Sequence, residues 1–582
     1  KPFSGIPSFS SEDQMPGKIV EAVPNISEGQ NKELISEVVK AASKVAGSTV
    51  LDVDPGAATN RTVITIAGNP DSVVEACYQL IKKAGELIDM STQSGEHPRH
   101  GATDVCPFVP VSGITMEECA DLARKLGKRV GEELGIPVYL YEKAASKPEW
   151  EKLPNIREGE YEALPDKLGK PEWKPDFGPN EWNENIAKTG VCTIGARNFL
   201  IAYNVNLNTK DPGVARDIGL TIRDSGRFLR DGNWKFIRDE NGKKTKQPGK
   251  LQCCKATGWY IEEYDTAQVT MNLTDLSVTP LHIGFEVARD EAEKLGARVT
   301  GSEVVGLLPL SAMLEAGRYY VEKQNSGLSA TGRQGRTIGV PQNELIETAI
   351  RSMGLRDVAP FDPEEKIIEY MVTEKDVNLS GKTCFDFADE LSTDSPAPGG
   401  GSAAALIGAL GASLDAMVAN LTVKNRKCRD SWDLMREIAP EAQTVKDDLL
   451  NAIDDDTAAF NDWMDAAKQD GDVEAAVKKA IEVPLRVLKQ CPSIIRMASS
   501  LEENGMQASV SDAGVAAAAA RAAAVGAYYN VLINLGEIKD AEYTASTLKQ
   551  AEEYLLTSLE SADSVFNRVR DKLNSKMEGR DS

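Results

Sequence analysis

Short apolar runs and helix-spaced apolar stripes alternate through the first third of the chain. Residues 19–23 form an apolar run that stops at Pro24-Asn25, and 34–45 carry apolar residues at helical spacing. Positions 49–53 and 62–67 read as strands, closed by the turn signals Asp54-Pro55-Gly56 and Gly68-Asn69-Pro70. A helix over 72–90, a loop, a helix over 116–134 and a strand over 138–141 follow. Strands send alternate side chains to opposite faces, whereas helices bring every third or fourth to one face, so each change of period marks a boundary. The order predicts a split βαβ, ferredoxin-like unit. It then recurs as a strand over 198–207, a helix over 213–225, strands over 258–262 and 267–272, a helix over 281–295 and a strand over 304–308. Two copies of one order predict a duplicated α/β unit with a cleft between its halves. Residues 231–250, with Asn-Gly and Gln-Pro-Gly, read as a surface loop. Beyond Tyr370 strand signals fade, and helical periodicity dominates 385–577, which predicts a separate all-α bundle.

Composition narrows the class. A chain of 582 residues exceeds one hydrophobic core, and at roughly 150 residues per domain three or four domains are expected. The net charge of -23 repels nucleic acid and anionic membranes, so neither is an expected partner. Nine scattered cysteines, none in a CxxC pair, read as reduced thiols in the cytoplasm. Positions 1–17 are polar and read as a disordered leader. The segment 399–421 is long and uncharged enough to span a bilayer, but Asp415 and its small residues favour a helix buried among helices.

The candidate chemistry lies at a few positions. Of three histidines, His97, His100 and His282, two fall in Gly95-Glu96-His97-Pro98-Arg99-His100-Gly101, a loop suited to a proton shuttle. Asp52 and Asp54 share a strand end, followed across a turn by Asn60 and Arg61. Gly399, Gly400 and Gly401 precede Ser402, which reads as the N-cap of a long helix with amides open to an anion. Asp456 falls on an apolar stripe with Leu449, Ala452, Ile453, Ala459 and Phe460, whereas Asp454 and Asp455 point away and read as solvated. A carboxyl on a buried face either finds a partner or has its pKa raised. No pattern of metal ligands accompanies these positions, so no metal is expected.

Several longer runs occur in order: VPNISEG at 23–29, LDVDPG with TNRTV within 51–63, SGEHPRHGATDVCPFVPV at 94–111, GEYEALP at 159–165, PDFGP at 175–179, APGGGS at 397–402 and AYYNVLINL at 527–535. Together they resemble the bifunctional formimidoyltransferase-cyclodeaminase family over nearly the whole chain after about Lys18. The resemblance implies a transferase of two α/β subdomains, 18–197 and 198–372, a linker over 373–382 and a helical cyclodeaminase over 383–582. It implies tetrahydrofolate as co-substrate, formiminoglutamate as donor, and homo-oligomers formed through the helical domain. The histidine of GEHPR, here His97, is implied as the acid-base residue of the transferase, and the aspartate of D-x-x-A-F, here Asp456, as that of the cyclodeaminase. Asp52 or Asp54 is expected to orient His97, and Arg61 or Arg99 to hold a carboxylate. The folate loop is implied over 178–190, with Gly178, Pro179, Asn180 and Gly190, and Asn60, Gly400, Gly401 and Ser402 complete the expected contacts. Two alternatives stand beside this for the helical half: a methenyl-tetrahydrofolate cyclohydrolase, or a non-catalytic folate-binding or assembly module.

Overall fold

The computed structural model describes residues 18–57, 59–326, 337–372, 379–468 and 472–578. The leader 1–17 and linker positions 373–378 lie outside them. The described residues divide into two compact units. The first runs to Tyr319 and resumes over Ile346–Thr373, and the second holds Tyr320–Leu345 and everything after Thr373.

The first unit opens with β1 (Ile19–Ala22), α1 (Lys32–Ala42), β2 (Ser48–Gly56), β3 (Arg61–Gly68), α2 (Pro70–Leu87) and β4 (Thr103–Ser112). Polar caps start its helices: the side chains of Asn31 and Asn69 accept from Leu34 and Ser72 amides, satisfying donors that a helix start leaves unpaired. The strands pair antiparallel in the order β2-β3-β1-β4, a ferredoxin-like arrangement. α3 (Met116–Leu134), β5 (Val138–Glu142), α4 (Glu184–Thr189) and β6 (Cys192–Ala196) then extend this sheet, with β6 parallel to β4 and β5 parallel to β6.

Two readings are corrected here. The strand expected over 138–141 is the outer extension, and the fourth strand of the unit is β4, inside what read as a loop. β4 is buried on both faces over 103–109, so it lacks the polar alternation that marks a half-exposed strand. Asp104, Pro107 and Pro110 obscure it further.

The second subdomain has the expected element order: β7 (Ile201–Leu207), α5 (Pro212–Ile222), β8 (Cys254–Ile261), β9 (Thr266–Leu273), α6 (Leu281–Lys294) and β10 (Val299–Val305), paired antiparallel as β8-β9-β7-β10, with β8 and β10 starting four and five residues before the strands expected at 258–262 and 304–308. Of its strands β8 alternates clearly, its burial switching at each residue over 254–259, whereas the central β7 is buried almost throughout.

The second unit is a bundle of α7 (Gly400–Lys424), α8 (Trp432–Lys468), α9 (Val473–Asn504), α10 (Val510–Leu535) and α11 (Ala541–Glu578). Ala404, Ala405, Gly408, Ala409, Gly411 and Ala412 let α7 approach its neighbours closely, and its buried face runs nearly its whole length. α7 and α10 are long and apolar enough to cross a membrane by length and composition, and the window of α7 that meets this test is mostly buried.

Candidate functional sites

In the first unit, the turn between β2 and β3 meets the loop before β4. Asn60, left-handed at φ 49°, accepts from the Gly29 amide at 2.9 Å and donates to the Ser94 carbonyl at 2.7 Å. It therefore ties the loop that carries His97, and its side chain is spent on this. His97 is half-buried, and its Nδ1 lies 2.7 Å from the Pro98 carbonyl and 3.3 Å from Arg61 Nη1. A carbonyl only accepts and a guanidinium only donates, so Nδ1 can bond to one of the two at a time; the shorter contact is to Pro98, and in the tautomer that makes it Nε2 keeps its lone pair. Burial pushes the imidazole pKa below its usual value, and the positive charges of Arg61 and Arg157 push it the same way. The ring is thus neutral near pH 7, with one nitrogen ready to accept a proton.

Behind it, Arg61 donates to Asn25 at 2.9 Å and to the buried Asp104 at 2.5 Å, and Arg157 donates to the same carboxylate oxygen. Burial alone would raise the Asp104 pKa, but His100, Arg61 and Arg157 outweigh it and hold the carboxylate charged. His100 is wholly buried, with Nε2 3.1 Å from the Asp104 carbonyl and 2.8 Å from Thr193 Oγ1; burial brings its pKa to about 4. It packs as a neutral ring. His282 is buried too, stacked 4.4 Å from Tyr319.

A cleft of about 600 Å³ opens beside this group, lined by Pro98, Arg99, Arg157 and Glu160 among others, all within residues 94–162. It lies in the first subdomain rather than between the two halves, because the segment after β5 folds over the loop before β4.

Several expected residues take other roles. Asp52 and Asp54 are exposed on β2, an edge strand, and neither bonds to His97, which Pro98 and Arg61 orient instead. Arg99 is spent on a two-pronged bond to Glu162, at 2.7 and 2.8 Å, and on Gln93 at 2.8 Å. Its guanidinium is thus already paired within the protein. In the loop 178–190, Pro179 is half-buried and Asn180 exposed, while residues 184–189 form α4 under an Asn183 cap. Gly178 and Gly190 have φ of 84° and 65° and pack on the Ile136 and His100 carbonyls, which leaves no room for a side chain. Their evident role is backbone shape.

In the second unit, Asp456 lies where the buried stripe of α8 gives way to half-exposed residues. Leu449, Ala452 and Ile453 are buried, whereas Ala459 and Phe460 are only partly so. Ser402 is not the N-cap: Gly399 holds that position, and Ser402 is the third helical residue, fully buried. Its hydroxyl lies 2.9 Å from Asp456 Oδ2 and 3.2 Å from the Ile453 carbonyl. Asp456 thus meets the N-terminal turn of α7. Burial raises its pKa, and the Ser402 bonds only partly offset this. Gly401 is necessary here, since a Cβ would lie 2.2 Å from Asp456 Oδ1. At Gly400 a Cβ would lie 3.2 Å from Asn530 Nδ2, so the AYYNVLINL run also reaches this corner. Asp454 and Asp455 are not solvated: Asp454 accepts from the Leu379 amide at 2.5 Å, and Asp455 pairs with Arg486.

Sequence comparison places the chain in a family. Family models for the formiminotransferase domain match residues 19–197, its N-terminal subdomain, and 202–373, and one for formiminotransferase-cyclodeaminase matches 383–553. The chain is 41% identical over 560 residues to the formimidoyltransferase-cyclodeaminase of Dictyostelium discoideum, covering 94% of this chain and 98% of that one. The chain belongs to the formimidoyltransferase-cyclodeaminase family. The chain is 40% identical over 308 residues to the glutamate formimidoyltransferase of Streptococcus pyogenes, covering 53% of this chain and 95% of that one. The chain is also 31% identical over 204 residues to the methenyltetrahydrofolate cyclohydrolase of Methylorubrum extorquens, covering 33% of this chain and 98% of that one.

Three residues that meet the expected groups were not singled out in the sequence: Asp104 and Arg157 beside Arg61, and Asn530 beside Gly400. Asp104 and Asn530 lie inside runs that mark the family, and Arg157 sits two residues before GEYEALP. A polar residue within or beside such a run was the available signal.

Proposed function

We propose that the first unit moves a formimino group from N-formimino-L-glutamate to N5 of tetrahydrofolate, and that the second closes the product to 5,10-methenyl-tetrahydrofolate with loss of ammonia, two steps in histidine degradation. One observation carries this reading: burial shifts the ionisable group implied for each step toward its neutral form, the form in which His97 can accept a proton and Asp456 can give one. In the first, N5 attacks the amidine carbon, His97 Nε2 takes the N5 proton, and the same proton goes to the departing glutamate nitrogen. In the second, N10 attacks the formimino carbon and its own proton passes to the formimino nitrogen, and Asp456, whose pKa burial raises, is the acid for the second proton with which that nitrogen leaves as ammonia. Neither step needs a metal ion.

The deciding experiment supplies formiminoglutamate and tetrahydrofolate to the full chain and follows the methenyl absorbance band and free ammonia together. Equal yields of both support the reading, and methenyl product without ammonia defeats it. The similarity to a cyclohydrolase favours a second reading for the helical unit, in which water opens the methenyl ring. Faster methenyl hydrolysis than ammonia release would select it.

The exposed apolar side chains Val515, Tyr529 and Ile533 on α10 and Leu410 on α7 support homo-oligomers through the helical unit, which sedimentation can test. Nine free cysteines, six of them buried, support a reducing, cytoplasmic setting. We place the domain boundaries of the reading at 18–197, 198–372 and 383–582.

A further inference from the structure

The charges around the cleft of the first unit do not balance. Arg99 is matched by Glu160 and Glu162. Asp104, by contrast, is one carboxylate facing two guanidinia, those of Arg61 and Arg157. Only Arg157 of this pair lines the cleft, and its buried Nε has no hydrogen-bond partner among the described residues.

Lys167 adds a second sign of design. It is buried, has no ion pair among the described residues, and donates to the carbonyls of Ile156 and Glu158, the residues on either side of Arg157; its ammonium also stacks 3.7 Å from the Trp173 ring centre. Burial lowers its pKa, as expected of a cation kept from water. A buried ammonium is expensive to keep. What it secures is the turn that presents Arg157.

We propose that Arg157, held from one side by Asp104 and from the other by the Lys167-braced turn, is the anchor for a carboxylate of the formimino donor. This rests on the transferase reading above. A guanidinium fork matches a carboxylate in shape and charge, and this one is already fixed before the donor arrives. The proposal also gives the donor a second effect. Arg157 is one of the charges that depress the His97 pKa in the free protein. An arriving carboxylate cancels that part of the field, so the imidazole becomes a stronger base when its substrate is in place.

The test uses the full chain and three donors: formiminoglutamate, formiminoglycine, which lacks the side-chain carboxylate, and N-formimino-4-aminobutyrate, which lacks the α-carboxylate. Arg157→Ala should raise KM for formiminoglutamate on the order of 100-fold while leaving KM for tetrahydrofolate unchanged. The parent protein should discriminate against one of the shortened donors by a similar factor, and the variant should not. In the parent, the acid limb of kcat should lie at higher pH than that of kcat/KM, since the first reports the complex and the second the free protein. That gap should close in Arg157→Ala. If Arg157→Ala does not fold, Arg157→Lys keeps the charge and should raise the donor KM on the order of tenfold, because it lacks the fork. Equal losses on all three donors, or an unchanged gap between the limbs, overturns the anchor. No transfer by the parent protein overturns the transferase reading along with it.

Discussion

Around His97 a buried carboxylate is outnumbered by guanidinia, whereas around Asp456 the influences are burial and one serine. Yet burial is the first cause of both shifts, lowering the histidine and raising the aspartate. Removing water favours the neutral form of either group. A neutral imidazole is a base and a neutral carboxyl is an acid, so one physical cause prepares two opposite proton roles. The added cations sharpen the first site, and the serine moderates the second. A third group shows the same effect of burial. Asp415, on α7, is fully buried with neither carboxylate oxygen bonded among the described residues, and its pKa is raised well above the usual value.

The sharpest break in this comparison is to remove each group. His97→Ala should reduce formimino transfer on the order of 1000-fold and leave cyclisation of supplied 5-formimino-tetrahydrofolate unchanged. Asp456→Ala should do the reverse, with the formimino intermediate accumulating. If either variant slows both steps, the two sites are not independent.

Next in size is Gly401→Ala, whose Cβ would lie 2.2 Å from Asp456 Oδ1. The carboxyl must move, and cyclisation should fall on the order of 100-fold while transfer is unaffected. Retained cyclisation would mean that the carboxyl position beside α7 does not matter.

pH sharpens the contrast. His97 must be neutral to act, and its pKa is lowered, so transfer should rise with pH through a midpoint below the ordinary histidine value. Asp456 must be protonated, and its pKa is raised, so cyclisation should persist above the ordinary aspartate value and fall as pH rises through the shifted one. Ser402 favours the charged carboxyl, so Ser402→Ala should move that alkaline limb up by about 1 pH unit. A limb moving downward would reverse the assignment.

The smallest effect concerns stability. The native pKa of Asp415 lies above its unfolded value, so its cost is absent in acid and grows as pH rises from the unfolded value through the native one. Asp415→Ala should therefore stabilise the helical unit by about 1 kcal/mol near neutral pH. Denaturant melts should show the gain vanishing in acid, and a gain equal at both pH values would point to packing rather than charge.

Much of the fold was legible. The second subdomain could be read in its element order, from β-rich runs bounded by turn signals, although its last strand lies at Val299–Val305 rather than 304–308. The helical half was legible from its 3.6-residue period. β4 was not, since a strand buried on both faces has no alternation to show, and its Asp104 looks polar until Arg61 and Arg157 are seen around it.

The chain order alone was enough to single out His97 and Asp456, to separate an α/β front from a helical back, and to indicate that Asp456 lies on an apolar stripe. These follow from local periodicity and from runs of contiguous residues. Folding decided which partners each group meets: Pro98 and Arg61 rather than Asp52 or Asp54 for His97, Ser402 for Asp456, and Glu162 for Arg99. Those partners are up to 63 residues away in the chain. Electrostatics depends on distance in space and on exclusion of water, and neither is written in the spacing of residues along a strand or helix.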